Sequence, residues 1–367
     1  KRVEIISALS IFQYMNIKIV ILSLLIAIFL LPGCEQRAES MGSYRIVPVL
    51  ADQGELPQYD TLLVNSVERR IRTPRHEHIF EVEFVDTSLM GRCTNARNNI
   101  VVASLESPGP AGEFIRNALS DEARRTIESG EDWIIAREDF WNLNQYTVLV
   151  TAPTAGDLQA RLILNGDQIF SLINRSVNER VADWLYSEYF GETEKFALED
   201  SIIESYGFGI RIPRGWDWEK GSGENDFLWL RKLEPERWVF VWSAPLDSNL
   251  DFSVNRWRHV RDSLCQIYYE GDSVSREQPP ETTGTAIAGR PAVQIRGLWE
   301  NSEKSLGGPL VSYVLSDPDT RRIFIVDGAV FAPVIRKEPF LRHVEIVCRS
   351  FRPNPKEFLR ERAQRED

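Results

Sequence analysis

Apolar residues recur along this chain with two different periods, and the switches between them outline its elements. In the first half, residues 44–50 (YRIVPVL) read as a strand, and residues 79–85 (IFEVEFV) alternate apolar with acidic positions as a half-buried strand does. Residues 99–105 (NIVVASL) form a continuous apolar run, which predicts a strand near the middle of a sheet. Helical spacing covers 60–72 and 113–129, and strands follow at 132–137 and 146–151, closed by Ala152-Pro153. Ile169, Ile173, Val177, Val181 and Leu185 then repeat at helical spacing along one long helix that ends at Gly191. The polar stretch 191–195 (GETEK) breaks the pattern and predicts a boundary between an N-terminal domain, 44–190, and a C-terminal one, 196–352.

The second half carries mostly strand signals. A strand is predicted at 206–213 (YGFGIRIP), ending at Pro213 with Arg214-Gly215-Trp216 after it. Further strands are predicted at 227–232, 237–242, 293–299, 310–315 and 322–331, the last two as a hairpin. Helices are marked by Trp257, Val260, Leu264 and Ile267, and by Phe340, Leu341, Val344, Val347 and Phe351. The tail 353–367 is charged and is expected to fray. Strands with hairpin-length connections, flanked by helices, predict an α+β fold of two domains, each a mainly antiparallel sheet covered by helices.

The N-terminus has a different character. Ile19 to Leu31 is an uncharged apolar run of 13 residues, against the roughly 20 that a membrane-spanning helix needs. With Lys18 ahead of it, the run fits the core of a cleaved signal peptide, 15–33, starting at Met15, with 1–14 as upstream sequence. It closes on Leu31-Pro32-Gly33-Cys34, which resembles the bacterial lipobox. That resemblance implies cleavage before Cys34, a diacylglycerol on its thiol, and a polar tether over 34–43. Glu35, where an inner-membrane lipoprotein commonly has Asp, implies the outer membrane, with membrane attachment through lipid alone.

Charge and cysteine count narrow the function. A net charge of −11 without a dense basic run argues against nucleic acid. The short cluster Arg256-Trp257-Arg258-His259-Val260-Arg261 reads as the edge of an amphipathic helix. Cys93, Cys265 and Cys348 match no zinc or redox spacing, and buried thiols explain Cys265 and Cys348 better than a disulfide.

Several short motifs occur in a fixed order: Arg261-Asp262-Ser263, Arg296-Gly297-Leu298-Trp299, Gly307-Gly308-Pro309-Leu310-Val311-Ser312, and Asp327-Gly328-Ala329-Val330-Phe331-Ala332-Pro333. Together with Asn98 to Val102 and Thr151-Ala152-Pro153, they resemble a lipoprotein family of the Bacteroidota, domain of unknown function 4837. The resemblance implies an envelope lipoprotein and carries no activity. Ile212 to Trp216 and the closing Ser350-Phe351 also resemble the PsbP-like fold, which implies an antiparallel sheet between helices and, by analogy, an accessory role.

No standard catalytic motif is present: no nucleophile elbow, phosphate-binding loop, zinc-protease helix or dinucleotide fingerprint. His76-Glu77-His78 sets two imidazoles on one strand face but lacks a third ligand, so no metal and no cofactor is expected. His259 and His343, beside arginines on helices, read as surface residues. Ser263 beside Asp262 has no base to activate it. Gly307-Gly308 reads as a turn needing positive φ. Tryptophan is the informative excess, because seven of the ten lie between 216 and 299. Trp216 and Trp218, two residues apart just before Gly221-Ser222-Gly223, would share one face of an extended segment. With Trp299 they are the candidate binding residues, at least one ring being expected to stand exposed. The favoured reading is a non-catalytic envelope module that binds a protein or a cell-wall or glycan partner. The alternative is an envelope hydrolase with an unfamiliar site, which would need acids, bases and arginines converging in one pocket.

Overall fold

The computed structural model describes residues 37–219, 226–246 and 253–366. Cys34, the signal segment, the start of the tether and Gly221-Ser222-Gly223 lie outside the described residues.

The first half is a five-stranded sheet between two layers of helices. Its strands are β1 (Ile46–Ala51), β2 (Glu81–Val85), β3 (Asn98–Val102), β4 (Ile134–Glu138) and β5 (Tyr146–Val150), in the order β2-β1-β3-β5-β4. β3 is central, as its unbroken apolar run predicts. The pairings of β1 with β2, β1 with β3 and β3 with β5 are parallel, and only β4 runs antiparallel to its neighbour. The expected antiparallel sheet is therefore corrected here. Each parallel step is bridged by a helix, and parallel strands cannot be joined by a tight turn. Helices α1 (Asp60–Val67), α5 (Ala155–Asn165) and α6 (Asp167–Tyr186) pack on one face, over Val47, Val49, Ile100, Val102 and Val148. Helices α2 (Met90–Asn95), α3 (Pro110–Ala118) and α4 (Asp121–Glu128) lie toward the other face, where Cys93, Ala111 and Ile115 cover Leu50, Val101 and Leu149. The single helix expected over 113–129 is broken at Leu119-Ser120, where the Ser120 hydroxyl accepts from the Ala123 amide and caps α4. The first helix stops at Val67, short of the expected Arg72.

The second half is antiparallel throughout. After helix α7 (Phe196–Tyr206) come β6 (Asp217–Glu219), β7 (Phe227–Lys232), β8 (Glu236–Pro245), helix α8 (Val254–Tyr268), β9 (Ser273–Val274), β10 (Glu281–Ile287), β11 (Arg290–Asn301), β12 (Leu306–Asp317) and β13 (Arg322–Phe331). The sheet order is β9-β11-β12-β13-β8-β7-β6, with β10 paired to β11. The long strands alternate their side chains between two cores. Val239, Val241, Tyr313, Phe324 and Val326 face α7 and helix α9 (Glu338–Arg349), while Trp238, Phe240, Val314, Ile323 and Ile325 face α8.

The strand expected at 206–213 and the fraying expected of the tail are both corrected in this half. Residues 208–213 are extended with Phe208, Ile210 and Ile212 buried, yet only Gly209 makes a bridge, to Arg352. They form no strand of the sheet because they pack over the core rather than at its edge. The tail does not fray: Pro355–Glu366 forms helix α10, whose Phe358 is buried against Gly209, where a side chain on Gly209 would meet the ring at 2.2 Å.

The motifs of the second half meet in space. Arg261 on α8 pairs with Asp327 on β13 at 3.0 Å, with both side chains buried. Asp262 accepts from the Val274 amide, and Arg296 on β11 pairs with Glu345 on α9. Gly328 admits Val344 of α9, since a β-carbon there would sit 2.0 Å from it. Gly307 and Gly308 lie inside β12 and have no positive φ, so the turn expected there is corrected. Close approach requires Gly308 instead: a β-carbon would come 2.0 Å from the Val330 carbonyl oxygen and 2.9 Å from the Trp299 indole nitrogen.

Candidate functional site

Three recesses are candidates, and their chemistry separates them. The first lies at the carboxyl ends of the parallel strands, between β1 and β3. The chain leaves β1 toward one face and β3 toward the other, so this is a topological switch point, where α/β sheets commonly bind ligands. A recess of about 350 Å³ opens there, and the chain's own acids engage the donors along its wall. Asp52, buried directly after β1, accepts from the Ala111 and Gly112 amides at 2.8 and 2.9 Å and from the Ser107 hydroxyl at 2.5 Å. Its carboxylate occupies the amino terminus of α3, where an anion would otherwise dock. Glu55 does the same for the Ser104 amide and hydroxyl.

The second recess opens over the α8 face of the second sheet, with a volume of about 230 Å³. Trp229, Trp238, Trp299, Tyr268, Tyr269 and Phe331 line it. The strand register puts these rings together. Trp229 and Arg231 share a face of β7, Trp238 of β8 pairs with Arg231, and Trp299 of β11 pairs with Gly308. The rings meet edge to face or tilted: Trp229 to Tyr269 at 4.6 Å, Trp238 to Trp299 at 5.3 Å, and Trp238 to Tyr269 at 5.7 Å. The Trp299 indole donates to the Val330 carbonyl. By contrast, the indole N–H groups of Trp229 and Trp238 and the Tyr269 hydroxyl have no partner among the described residues, although buried. Burial raises the Tyr269 hydroxyl pKa well above its ordinary value, so it stays protonated and available as a donor. The polar rim is already paired: Glu236 with Arg231 at 2.6 Å, Glu270 with Lys304, and Asp272 with the Asn301 amide at 2.9 Å. Burial raises the Asp272 carboxyl pKa against the effect of that amide.

The third recess is a cleft of about 470 Å³ between the halves. Tyr44, Arg97, Val181 and Trp184 line it from one side, and Arg336, Arg342 and His343 from the other. Contacts across the halves hold its walls. Glu77 caps α9 through the Lys337 and Glu338 amides, and Arg342 donates to Asn174 at 2.8 Å.

The structure separates the candidate tryptophans. Trp216 is fully buried and Trp218 half-buried, both against the α9-side core, while Trp299 lies on the opposite side of the sheet at 3% exposure. The expectation that at least one of these rings stands exposed is corrected for Trp216 and Trp299, since each fills a core on its own side of the sheet. Trp299 nevertheless walls the aromatic recess. Trp229, Trp238 and Tyr269 were missed, since only the antiparallel register shows that they converge. His343 is also corrected: it is half-buried, packed 5.7 Å from Trp184, and burial followed by Arg237, Lys232 and Arg342 lowers its pKa to about 3. His78 faces Glu68 at 3.1 Å. Among the described residues no group of three or more metal-binding side chains occurs. Cys93, Cys265 and Cys348 are buried free thiols. No described helix is long and apolar enough to cross a membrane.

Residues 195–350 match the family model described as Domain of unknown function (DUF4837), a span that takes in the whole second sheet. No curated protein matches the chain. Among solved structures, a Bacteroides thetaiotaomicron protein is 9% identical over 39% of this chain, with a TM-score of 0.25, and the match spans 44% of that protein's length. The Saccharomyces cerevisiae Ran-binding protein Mog1p is 9% identical over 42% of this chain and 95% of its own, with a TM-score of 0.28. Mycobacterium tuberculosis LpqN, described as involved in cell envelope biogenesis, is 12% identical over 40% and 83%, with a TM-score of 0.26.

Proposed function

We propose that this chain is a lipid-anchored, non-catalytic envelope module that binds a glycan unit in the aromatic recess of its second sheet. The carrying observation is the set of buried donors on Trp229, Trp238 and Tyr269, without partners among the described residues, inside an aromatic wall. Sugar rings offer C–H faces that stack on aromatic rings and hydroxyl oxygens that accept from indole and phenol donors. A recess of about 230 Å³ suits one ring rather than an extended ligand. Each rim carboxylate is held by a cation or an amide, which favours binding over acid–base chemistry. The anchor reading rests on the lipobox at Cys34, with the outer membrane favoured by Glu35.

Two measurements test this reading. Titration of the purified protein with muramyl disaccharide and chito-oligosaccharides, followed by tryptophan fluorescence, should give saturable binding. Trp229→Ala should weaken it by about 2 kcal/mol, as for a central aromatic contact. Absence of binding across a broad glycan array would overturn the proposal, and release of shortened sugars would establish the hydrolase instead. For the anchor, Cys34→Ala should leave an unprocessed precursor, and a mature N-terminus without lipid at another position would sink that part.

A further inference from the structure

Two turns beside the cleft between the halves set a large apolar residue where the backbone favours glycine or asparagine. The chain leaves α6 and reverses over Tyr189 to Glu192, whose amides and carbonyls pair reciprocally at 2.9 and 3.0 Å. Phe190 and Gly191 between them have φ of 52° and 78°, the left-handed pair of a tight hairpin turn that favours Asn-Gly or Asp-Gly. Phe190 puts an aromatic ring there instead, 90% exposed. After β13, Val334 holds φ at 72° and is fully exposed. A β-branched residue in that region is an outlier, because its side chain crowds the backbone. Every other non-glycine residue with positive φ among the described ones is polar, charged or alanine.

Phe190 meets the exposed Tyr189 ring at 4.3 Å, and neither joins a core. Each tip therefore carries a backbone cost that packing does not return, which is a mark of function rather than of folding. Both tips border the same cleft. The Arg214 guanidinium lies 4.6 Å from the ring centre of Trp184 and 5.1 Å from that of Tyr189. Its Nη1 donates to the Trp184 and Ser187 carbonyls at 2.6 Å, which ties the turn to the end of α6. Trp184 lines the cleft and is half exposed. Val334 and the exposed Ile335 come directly before Arg336, which lines it too. The exposed Met41 comes directly before Gly42, another lining residue.

Exposed apolar residues around one mouth mark a docking surface, and the chain itself limits what that surface meets. On the anchor reading, the lipid-bearing Cys34 stands seven residues (41 − 34) before Met41, an extended span of at most about 25 Å. The mouth of the cleft therefore stays close to the membrane, and tryptophan and tyrosine suit the layer where lipid meets water. Charge fits the same occupant. Although the whole chain is acidic, Arg45, Arg97, Arg336 and Arg342 line the cleft against one carboxylate, Glu338. Arg97 is held by neutral groups, the Gly42 carbonyl at 3.0 Å and the Tyr44 hydroxyl at 3.1 Å. Arginines at a membrane surface attract anionic headgroups. We propose that Phe190 and Val334, with Trp184, Tyr189, Ile335 and Met41 around them, enter the interface of the anionic bilayer that carries the anchor. Nearness to the membrane rests on the anchor reading, and the contact of the tips with lipid does not.

The mature chain from Cys34 holds every described residue, and prepared without its acyl group it reports the tips apart from the anchor. It should co-sediment with phosphatidylglycerol vesicles in preference to phosphatidylcholine. Phe190→Asn should weaken that binding about tenfold, as for one buried aromatic side chain, and Val334→Asn should weaken it by less. Neither variant should lower the melting temperature, because asparagine tolerates the left-handed backbone. Loss of binding without loss of stability is a pair of changes that a packing role would not give. In cells, a photo-reactive phenylalanine analogue placed at 190 should cross-link to lipid. Equal binding to both vesicles, binding unchanged in both variants, a lowered melting temperature in both, or cross-linking to protein alone overturns the proposal. An unlipidated Cys34 with vesicle binding intact removes the anchor and leaves the tips, whereas a lipidated Cys34 without vesicle binding removes the tips and leaves the anchor.

Discussion

The switch point of the first sheet and the aromatic recess of the second are built in opposite ways. At the carboxyl ends of β1 and β3, the donors at the start of α3 and on Ser104 and Ser107 already have acid partners. Asp52 holds two α3 amides and the Ser107 hydroxyl, and Glu55 holds Ser104. Over the second sheet the aromatic donors of Trp229, Trp238 and Tyr269 are left open, while the acids are tied up at the rim. The acids at the position usually associated with ligands in a parallel sheet have a structural task here, and the antiparallel half carries the open aromatic donors. A recess is therefore better judged by its unsatisfied groups than by where it falls in the topology.

The contrast extends to buried ions, and the largest expected effect lies there. Arg261→Met strands the Asp327 carboxylate in the second core and should cost roughly 3–5 kcal/mol in urea unfolding. Adding Asp327→Ala should recover much of that loss. If the single variant unfolds like wild type, the pair is not what joins α8 to the sheet. In the first half, Asp52→Ala should cost about 1–3 kcal/mol, because it leaves two buried helix amides and a hydroxyl unmet. The same variant should leave glycan binding by the second half unchanged, and a loss of binding would show that the two recesses are coupled.

The smallest effect concerns pH. His343 is held neutral, its pKa lowered to about 3 by burial and then by Arg237, Lys232 and Arg342. In the unfolded chain it binds a proton near its ordinary value of about 6.5. Between these values the unfolded state binds more protons, so stability is full above the unfolded pKa and is lost as pH falls toward the folded one. His343→Gln should flatten the decline in melting temperature between pH 6.5 and pH 4. An unchanged slope would assign the acid sensitivity to other groups.

Local periodicity alone marks the central place of β3, the long helix α6, the hairpin of β12 and β13, and the closing helix α9. Each shows its own period, because a single element buries a face or a stripe that its own residues reveal. The motifs Arg261-Asp262-Ser263 and Asp327-Gly328 were legible as motifs, but their meeting was not, since 66 positions separate the paired charges. The parallel pairing of the first sheet also escaped a local reading, because strand direction depends on crossovers rather than on any strand's own pattern. Helix α10 is hidden for a similar reason: Pro355–Glu366 shows no apolar stripe, and its anchors come from distant positions, Phe358 against Gly209 and ion pairs of Glu357 with Arg290 and of Arg362 with Asp200. The tryptophans divide in the same way. Strand periodicity places Trp229 and Trp238 on strands, but whether a ring fills a core or walls a recess is decided by what the neighbouring strand presents opposite it. Gly308 opposite Trp299 is such a case, a pairing fixed only when the sheet closes.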